Sequence, residues 1–503
     1  MAKPAEKSKR SSENANGGPR TEADGVVEDS VEAGHVEARH ASRFRASIVL
    51  CLTGGLVVVF ALVRDLLPGS APGLGPLQII LVVLGGGALV AGAWLFARLP
   101  RDARRPLLRL AAVKTARLAG KLLLLAGMLS AAVGALEGWA RWRAGIPRDE
   151  RLWLKLAEDL PEKDQFLKDR GPWGRYELRY ADYFLYHSAP RASPTVNFTS
   201  PFGARLCPGS VPAEEANQRI WFFGGSTMQN TETTDERTIA NQATVRLNEA
   251  GLRVFSQNFG MGMFQSTLES IKFQELLRRV RPDERPTAVV FYDGFNDGYW
   301  GYTCGAGRMQ ADIASKLKLL VERDYAGVAR YSLARGLFDW SQFYRDFGTW
   351  IFEPTGGDAG FIFDGSEENL RRTVEAYVMN TEVLRAICEN LDIRPLFVLQ
   401  PLVATKRGRT NDEEDVYRSL ERGAATFVES FYRETRTKMA DRDDFVDLSA
   451  LLDDNGRTDF YDLGHTGPYT GAGIGHAIGE RILTVLGPDE RRSLDTPPSS
   501  RLP

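Results

Sequence analysis

Cysteine, histidine and unbalanced charge are all scarce in this chain of 503 residues. It contains 4 cysteines and 5 histidines, and its 63 basic and 65 acidic residues give a formal net charge of −2. No two cysteines are spaced like a zinc pair, and near-neutral charge argues against a nucleic-acid-binding protein. We therefore expect no metal, no organic cofactor and no nucleic-acid partner. Cys207 and Cys304 could form a disulfide outside the cytoplasm, and four free thiols fit the sequence equally well.

The near-neutral total conceals two unlike parts of the chain. Residues 1–143 contain 19 Lys and Arg but only 11 Asp and Glu. The remaining 360 residues contain 44 Lys and Arg and 54 Asp and Glu. Residues 1–45 have no apolar period, which predicts a disordered cytoplasmic tail. Three uncharged apolar runs of 18, 21 and 15 residues follow, and a bilayer core requires about 20. They predict three transmembrane helices at about 46–63, 77–97 and 118–140.

The distribution of basic residues between these runs predicts their orientation. The segment 98–121 contains eight Lys and Arg against one Asp, so the positive-inside rule places it in the cytoplasm with the N-terminus. The lipid bilayer is then an expected partner, and everything after about residue 141 lies on the far side. Residues 141–218 are predicted to form an extracytoplasmic connecting region.

Beyond residue 218, strand-like and helix-like patterns alternate. We predict strands at 219–223, 253–258, 287–292, 395–400 and 444–446, and helices at 239–247, 268–280, 367–391, 413–439 and 470–486. This alternation indicates an α/β domain over 219–487 with a parallel sheet covered on both faces. The insertion 298–365 is expected to carry helices, as a sugar-binding wall, a lid or a small extra core. Residues 488–503 are predicted to be a disordered tail.

Polar residues follow the predicted strands, where the chemistry of such sheets is usually located. Ser226 follows two glycines at a strand-to-helix turn, which exposes a hydroxyl and places its N–H where an oxyanion is favoured. Glycines follow the second strand, and Asn296 follows the third. Asp462 precedes His465 by three residues, so its carboxylate can hold one ring nitrogen while the other acts as a base. Singly, each block also fits an N-cap or a turn.

The small number of histidines points to His465 as the base. His35 and His40 belong to the predicted tail, His187 precedes the sheet, and His476 lies within the closing helix.

In this order the four blocks resemble the SGNH/GDSL hydrolase superfamily over about residues 219–487. The resemblance implies a flavodoxin-like three-layer α/β/α fold, with Ser226 as nucleophile and Asp462 and His465 as its partners. It also implies an oxyanion hole formed by Ser226, Gly262 and Asn296. The first block reads Gly-Gly-Ser-Thr rather than Gly-Asp-Ser-Leu, and the family's spacing in the second block falls on Met263. Gly262 is preferred there, and Gly260 and Met263 stay open.

The resemblance implies a serine esterase working through an acyl-enzyme. The predicted spans place it as a multi-pass protein of a bacterial cytoplasmic membrane, with the N-terminus in the cytoplasm and the catalytic domain outside it. Its expected substrate is an ester, most simply an O-acetyl group on an envelope carbohydrate. An O-acetyltransferase that modifies an exported polysaccharide with a partner membrane protein is the alternative. A non-catalytic glycan-binding protein of the same fold is a third reading, against which the complete Ser/Asn/Asp/His set argues.

Overall fold

The computed structural model describes residues 39–40, 42–51, 53–55, 76–170, 177–199, 202–308, 317–347, 362–420 and 422–492. The chain divides into two compact units, Met1–Ala135 and Leu136–Pro503. Most of the two predicted disordered tails, residues 1–38 and 493–503, lies outside the described residues. The closing helix continues to Arg492, past the predicted domain boundary at 487.

The first unit contains helical residues between 42 and 55 and two long helices, α1 (Pro76–Ala97) and α2 (Arg101–Ala144), the second of which runs on past the unit boundary. The helical residues near 47 lie against α1. Ser47 Oγ donates a hydrogen bond to the carbonyl of Gly92 at 2.7 Å, and a β-carbon at Gly92 would lie 2.5 Å from Cys51 Sγ. Glycine at position 92 thus permits the close approach of the two segments.

The prediction of three transmembrane helices is wrong for the part of the chain that the structure describes. No helix there is both long enough and apolar enough to cross a bilayer. For the predicted span 118–140 the sequence gives a reason, because its uncharged run of 15 residues, bounded by Lys121 and Glu137, falls short of the ~20 required. The multi-pass membrane localisation rested on these spans and is corrected with them.

The second unit consists of helices around a central sheet. Its strands are β1 (Leu178–Ala181), β2 (Leu185–Ser188), β3 (Phe198–Thr199), β4 (Ala204–Arg205), β5 (Gln218–Gly224), β6 (Val254–Asn258), β7 (Ala288–Asp293), β8 (Arg394–Leu399) and β9 (Phe445–Asp447). Its helices are α3 (Arg148–Leu156), α4 (Lys163–Arg170), α5 (Ser226–Gln229), α6 (Ile239–Glu249), α7 (Ser266–Arg279), α8 (Phe295–Cys304), α9 (Tyr325–Trp340), α10 (Gln342–Phe347), α11 (Glu367–Asn390), α12 (Asn411–Ser419), α13 (Arg422–Met439) and α14 (Thr470–Arg492). Single 3₁₀ turns lie at Asp235–Arg237 and Pro282–Glu284.

The sheet has seven strands in the order β3-β4-β6-β5-β7-β8-β9. Its last five strands are parallel, and numbered along the chain they run 2-1-3-4-5, the flavodoxin-like order. The prediction of a wholly parallel sheet is wrong, because β3 and β4 pair antiparallel at one edge. Both strands have two residues and come from the connecting region, so they are too short to produce a period in the sequence. β1 and β2 form a separate antiparallel hairpin.

Helices cover both faces of the sheet, which explains why all six residues of β7 are buried. On one face, side chains such as Phe223 and Phe291 pack against α7, α11 and α13. On the other face, side chains such as Phe222 and Val290 pack against α6 and α14. The result is an α/β/α sandwich whose two apolar layers fix the positions of the strand ends.

Helix boundaries largely follow the sequence patterns. Ser366 caps α11 as expected, since its Oγ accepts the N–H of Asn369 at 3.2 Å. The helix predicted at 413–439 is instead two helices, α12 and α13, because Leu420 adopts an extended backbone with φ −70° and ψ 133°. The insertion carries α9 and α10. Cys207 and Cys304 are both buried and both free thiols, so they form no disulfide.

Candidate active site

Ser226 is the first residue of the short helix α5, directly after the central strand β5, and its side chain is half-buried. The residue before it, Gly225, leaves room for the neighbouring amide. A β-carbon at position 225 would lie 2.5 Å from Asn296 Nδ2 and 3.2 Å from the carbonyl oxygen of Phe264. The glycine therefore brings the serine and the asparagine, from two adjacent strand ends, next to each other.

The structure brings Ser226, His465 and Asp462 together in a hydrogen-bonded chain. His465 Nε2 lies 2.7 Å from Ser226 Oγ, although 239 residues separate the two in sequence. His465 Nδ1 lies 2.7 Å from Asp462 Oδ2. This is the order of groups that activates a serine hydroxyl: a base beside the oxygen and a carboxylate behind the base.

Asp462 and His465 belong to a loop whose own backbone is tied together. The N–H of Tyr461 donates to the carbonyl of His465, and Phe460 and Thr466 form an antiparallel bridge. The ring of Tyr461 stacks on the imidazole, with centroids 5.9 Å apart and planes 23° apart. The loop therefore fixes both the position and the tilt of the imidazole.

A buried ion cluster anchors the start of this loop. Lys406 Nζ lies 2.8 Å from Glu413 Oε1 and 2.8 Å from Asp459 Oδ2, and the side chains of all three are at most 4% exposed. The carbonyl of Asp459 also accepts the N–H of Gly467 at 2.7 Å. Both ends of the His465 loop are thus joined through Asp459.

Carboxylates dominate the electrostatics around the imidazole. Burial by itself lowers the pKa of His465, but the negative charges of Asp462 and Glu232 outweigh burial and raise it to about 9. For Asp462, burial favours the neutral acid, yet the imidazole and the N–H groups of its loop hold its pKa below the ordinary value. The pair therefore favours an imidazolium beside a carboxylate.

The candidate oxyanion donors differ in whether their N–H groups are already engaged. Asn296 Nδ2 donates to the carbonyl of Phe264 at 2.5 Å, which fixes the amide and leaves its second hydrogen. Gly262 donates its N–H to the side chain of Gln229 at 3.1 Å, and Gly260 donates its own to Asn258 at 2.9 Å. The N–H of Met263 donates to no acceptor among the described residues, and this residue has φ 68°.

A group of interacting acidic residues includes Asp297, which directly follows Asn296 in sequence. Asp297 accepts the hydroxyl of Ser266 at 2.5 Å, and burial raises the pKa of Asp297 to about 6. Burial and neighbouring acids likewise raise the pKa of Glu269 and Asp293. Within the described ranges, no group of three or more His, Cys, Asp or Glu side chains is arranged to hold a metal ion.

Sequence reasoning missed Glu232, Asp149 and Tyr461. Glu232 Oε1 lies 3.6 Å from His465 Nε2, and the charge of Asp149, from the connecting region, contributes to the raised pKa of His465. Neither acid occupies a strand end or a recognisable motif. Only their positions in the folded chain bring them to the histidine.

No protein-family model matches the chain, and no curated protein matches it. Solved structures similar to it include a member of the lipolytic protein G-D-S-L family from Veillonella parvula DSM 2008. That structure is 12% identical, with a TM-score of 0.30, and the match covers 53% of this chain and 98% of the other.

Two esterase structures are similar at the same level. An acetylxylan esterase from Geobacillus stearothermophilus is 11% identical with a TM-score of 0.28, over 55% of this chain and 96% of the other. An acetyl xylan esterase named AlAXEase is 12% identical with a TM-score of 0.28, and the match covers 54% of this chain and 100% of the other. At these identities and TM-scores, the function has to come from the geometry of the site itself.

Proposed function

We propose that this protein is a serine ester hydrolase of the SGNH/GDSL type. The observation that carries the proposal is the chain of two 2.7 Å contacts from Ser226 through His465 to Asp462. A structural serine has no need of a histidine and a carboxylate in this order. A non-catalytic glycan-binding protein would not require it either.

In the first step, Ser226 Oγ attacks the ester carbonyl and His465 Nε2 takes its proton. Asp462 keeps the ring in the tautomer that leaves Nε2 free and stabilises the imidazolium. The proton then passes to the departing alcohol, which leaves an acyl group on Ser226. In the second step, water attacks the acyl carbon and the same imidazole carries its proton back to Ser226 Oγ.

The developing oxyanion requires donors on the other side of the carbonyl. We assign the N–H of Ser226 and the side chain of Asn296. From the second block, the N–H of Met263, which donates to no described acceptor, serves better than that of Gly262, which donates to Gln229. Loss of one such donor typically slows turnover about 10²–10³-fold.

For the substrate we propose a short acyl ester of a carbohydrate, most simply an O-acetyl group. Support for this finer statement comes from the family resemblance of the sequence blocks. Rates of hydrolysis of aryl acetate, butyrate and octanoate esters test the length of the acyl group. Release of acetate from an acetylated oligosaccharide then tests the carbohydrate. Faster cleavage of the octanoate than of the acetate would contradict the short acyl group.

The decisive experiment uses the full-length protein with an aryl acetate. Wild type is expected to hydrolyse the ester, and the Ser226→Ala and His465→Ala variants to fall to background. His476→Ala is the matched control, because this histidine is exposed on α14, and it should retain wild-type activity. A fluorophosphonate should add one covalent group at Ser226. Equal rates in wild type and Ser226→Ala would refute the proposal.

A further inference from the structure

A second carboxylate faces the nitrogen of His465 that contacts the serine. Glu232 Oε1 lies 3.6 Å from Nε2, and the Glu232 side chain is 7% exposed. Its Oε1 accepts the hydroxyl of Thr231 at 2.8 Å. Its Oε2 is buried and accepts no hydrogen bond from any described residue. A buried carboxylate with lone pairs beyond those that Thr231 and Tyr461 engage is therefore present where the proton transfers of catalysis occur.

The backbone around Glu232 is held rigidly. The buried guanidinium of Arg205 donates to the carbonyls of Gln229, Asn230 and Thr233, which lie on both sides of it. The carbonyl of Glu232 itself accepts the indole N–H of Trp153 at 2.9 Å. These bonds consequently fix the position of Glu232 relative to the nucleophile Ser226, which precedes it by six residues.

Glu232 has no permanent counter-ion in the part of the chain that the structure describes. No Lys or Arg nitrogen lies within ion-pair distance, and His465 is the one cationic partner there. Another nearby polar group is the phenol of Tyr461, whose pKa is raised by burial, by the charges of Glu232 and Asp462 and by its side-chain interaction with the Glu232 carboxylate. A buried carboxylate whose cationic partner is a histidine loses that partner when the imidazole becomes neutral for catalysis, and a water that donates a hydrogen bond then replaces it.

We propose that Glu232 accepts a hydrogen bond from the water that cleaves the acyl-enzyme and so selects water over an alcohol as the second nucleophile. This inference rests on the proposed ester hydrolase. In the acyl-enzyme, Ser226 Oγ has no proton, so Nε2 is available to the incoming water. A water that donates one hydrogen to Nε2 can donate its other hydrogen to the Glu232 carboxylate, which turns its oxygen lone pair toward the acyl carbon.

The step balances without any further reactant. A bond forms between the water oxygen and the acyl carbon, and one water proton moves to His465 Nε2. The bond between the acyl carbon and Ser226 Oγ then breaks as Nε2 returns that proton to Oγ, and a carboxylic acid leaves. Glu232 keeps its charge throughout, since it accepts a hydrogen bond but no proton.

An alcohol cannot make the same pair of contacts. Its single hydroxyl hydrogen must go to Nε2, which leaves its oxygen lone pairs facing the carboxylate. That arrangement is repulsive, because lone pairs then face a negative charge. The residue thereby favours hydrolysis over acyl transfer, a choice that the serine, histidine and aspartate leave open.

The test separates the two chemical steps in the full-length protein. With 4-nitrophenyl acetate in a stopped-flow instrument, Glu232→Ala should show a burst of one 4-nitrophenol per active site, followed by turnover slowed about 10- to 100-fold. Glu232→Gln, which preserves shape, should be slowed in the same direction. With added methanol, both variants should give a larger ratio of methyl acetate to acetate than wild type.

Asp149→Asn is the matched control, because it removes a negative charge near His465 without removing a group in contact with it. With every variant measured on the plateau of its own pH profile, where the imidazole is neutral, Asp149→Asn should leave the burst amplitude and the methanol ratio as in wild type. Fluorophosphonate labelling of Ser226 at the wild-type rate shows that a variant is folded and can be acylated. An active wild type with unchanged deacylation and partition in both Glu232 variants would overturn this inference alone. A wild type no faster than Ser226→Ala would overturn the proposed function as well.

Discussion

Asp462 binds His465 through both of its carboxylate oxygens. Oδ1 accepts the backbone N–H of His465 at 2.7 Å and that of Gly464 at 3.0 Å, while Oδ2 lies 2.7 Å from the ring Nδ1. One side chain therefore shapes the loop and orients the imidazole. These two tasks can be separated experimentally, because each uses a different oxygen.

Asp462→Asn should abolish most activity while preserving the loop. The amide oxygen can still accept the two backbone N–H groups, but an amide nitrogen facing Nδ1 favours the tautomer with its proton on Nε2. That tautomer cannot accept the proton of Ser226, and we expect kcat to fall by about 10⁴-fold with little change in KM. Steady-state kinetics and the melting temperature measure this together. A fall in melting temperature that accounts for the lost activity would contradict the separation.

Activity should rise with pH up to an apparent pKa of about 9, the value to which Asp462 and Glu232 raise His465. The reason is that only the neutral imidazole accepts the serine proton, so kcat/KM should fall about tenfold per pH unit below that value. The profile of kcat/KM for an aryl acetate, after subtraction of spontaneous hydrolysis, measures it. A plateau that begins near the ordinary histidine pKa of about 6.5 would contradict the electrostatic arrangement.

Glu232→Gln should shift this pH profile to lower pH. Removal of a nearby negative charge makes the imidazolium less stable and so lowers the pKa of His465. The charges that act on the imidazole are those of Asp462, Glu232 and Asp149, and the ring of Tyr461 stacks on it. Asp149→Asn should shift the profile in the same direction but less, since Asp149 contributes least of the three acids. An unchanged profile in Glu232→Gln would show that this carboxylate does not influence the base.

Two of the residues that sequence reasoning located follow strands, whereas Asp462 and His465 were located from their spacing and from the small number of histidines. Ser226 follows β5 and Asn296 follows β7, and adjacent parallel strands necessarily bring these two positions to one edge of the sheet. Glu232 lies in a loop that follows no strand, and its role depends on a histidine 233 positions away. The edge strands β3 and β4 have two residues each, which is too few for an alternating pattern. The apolar runs of the N-terminal part produced a membrane prediction that the described helices do not support.

Lys406→Met should destabilise the second unit by roughly 3–5 kcal/mol, because it leaves the carboxylates of Glu413 and Asp459 buried without a cation. The His465 loop is attached to this cluster, so activity should be lost at lower urea than in wild type. Urea titrations followed by esterase activity and by tryptophan fluorescence measure both effects. Arg407→Ala is the neighbouring control: its side chain is 76% exposed and pairs with Asp453, and its removal should leave the urea midpoint close to that of wild type.

Gly225→Ala should impair the oxyanion hole without harming the backbone. Gly225 has φ −73° and ψ −155°, an extended conformation open to alanine, but the new β-carbon would lie 2.5 Å from Asn296 Nδ2. The amide has to move, and we expect kcat to fall by about 10²–10³-fold, as for the loss of one oxyanion donor.

The double variant Gly225→Ala/Asn296→Ala tests this mechanism for the glycine. If the alanine acts by displacing the amide, it should cost little once the amide is gone, so the two losses should fail to add. Gly473→Ala is the control, because its new β-carbon meets nothing within 4 Å beyond the backbone of its own helix, and alanine at this exposed position should make the helix slightly more stable. Fully additive losses in the double variant would mean that Gly225 acts on Ser226 itself rather than through Asn296.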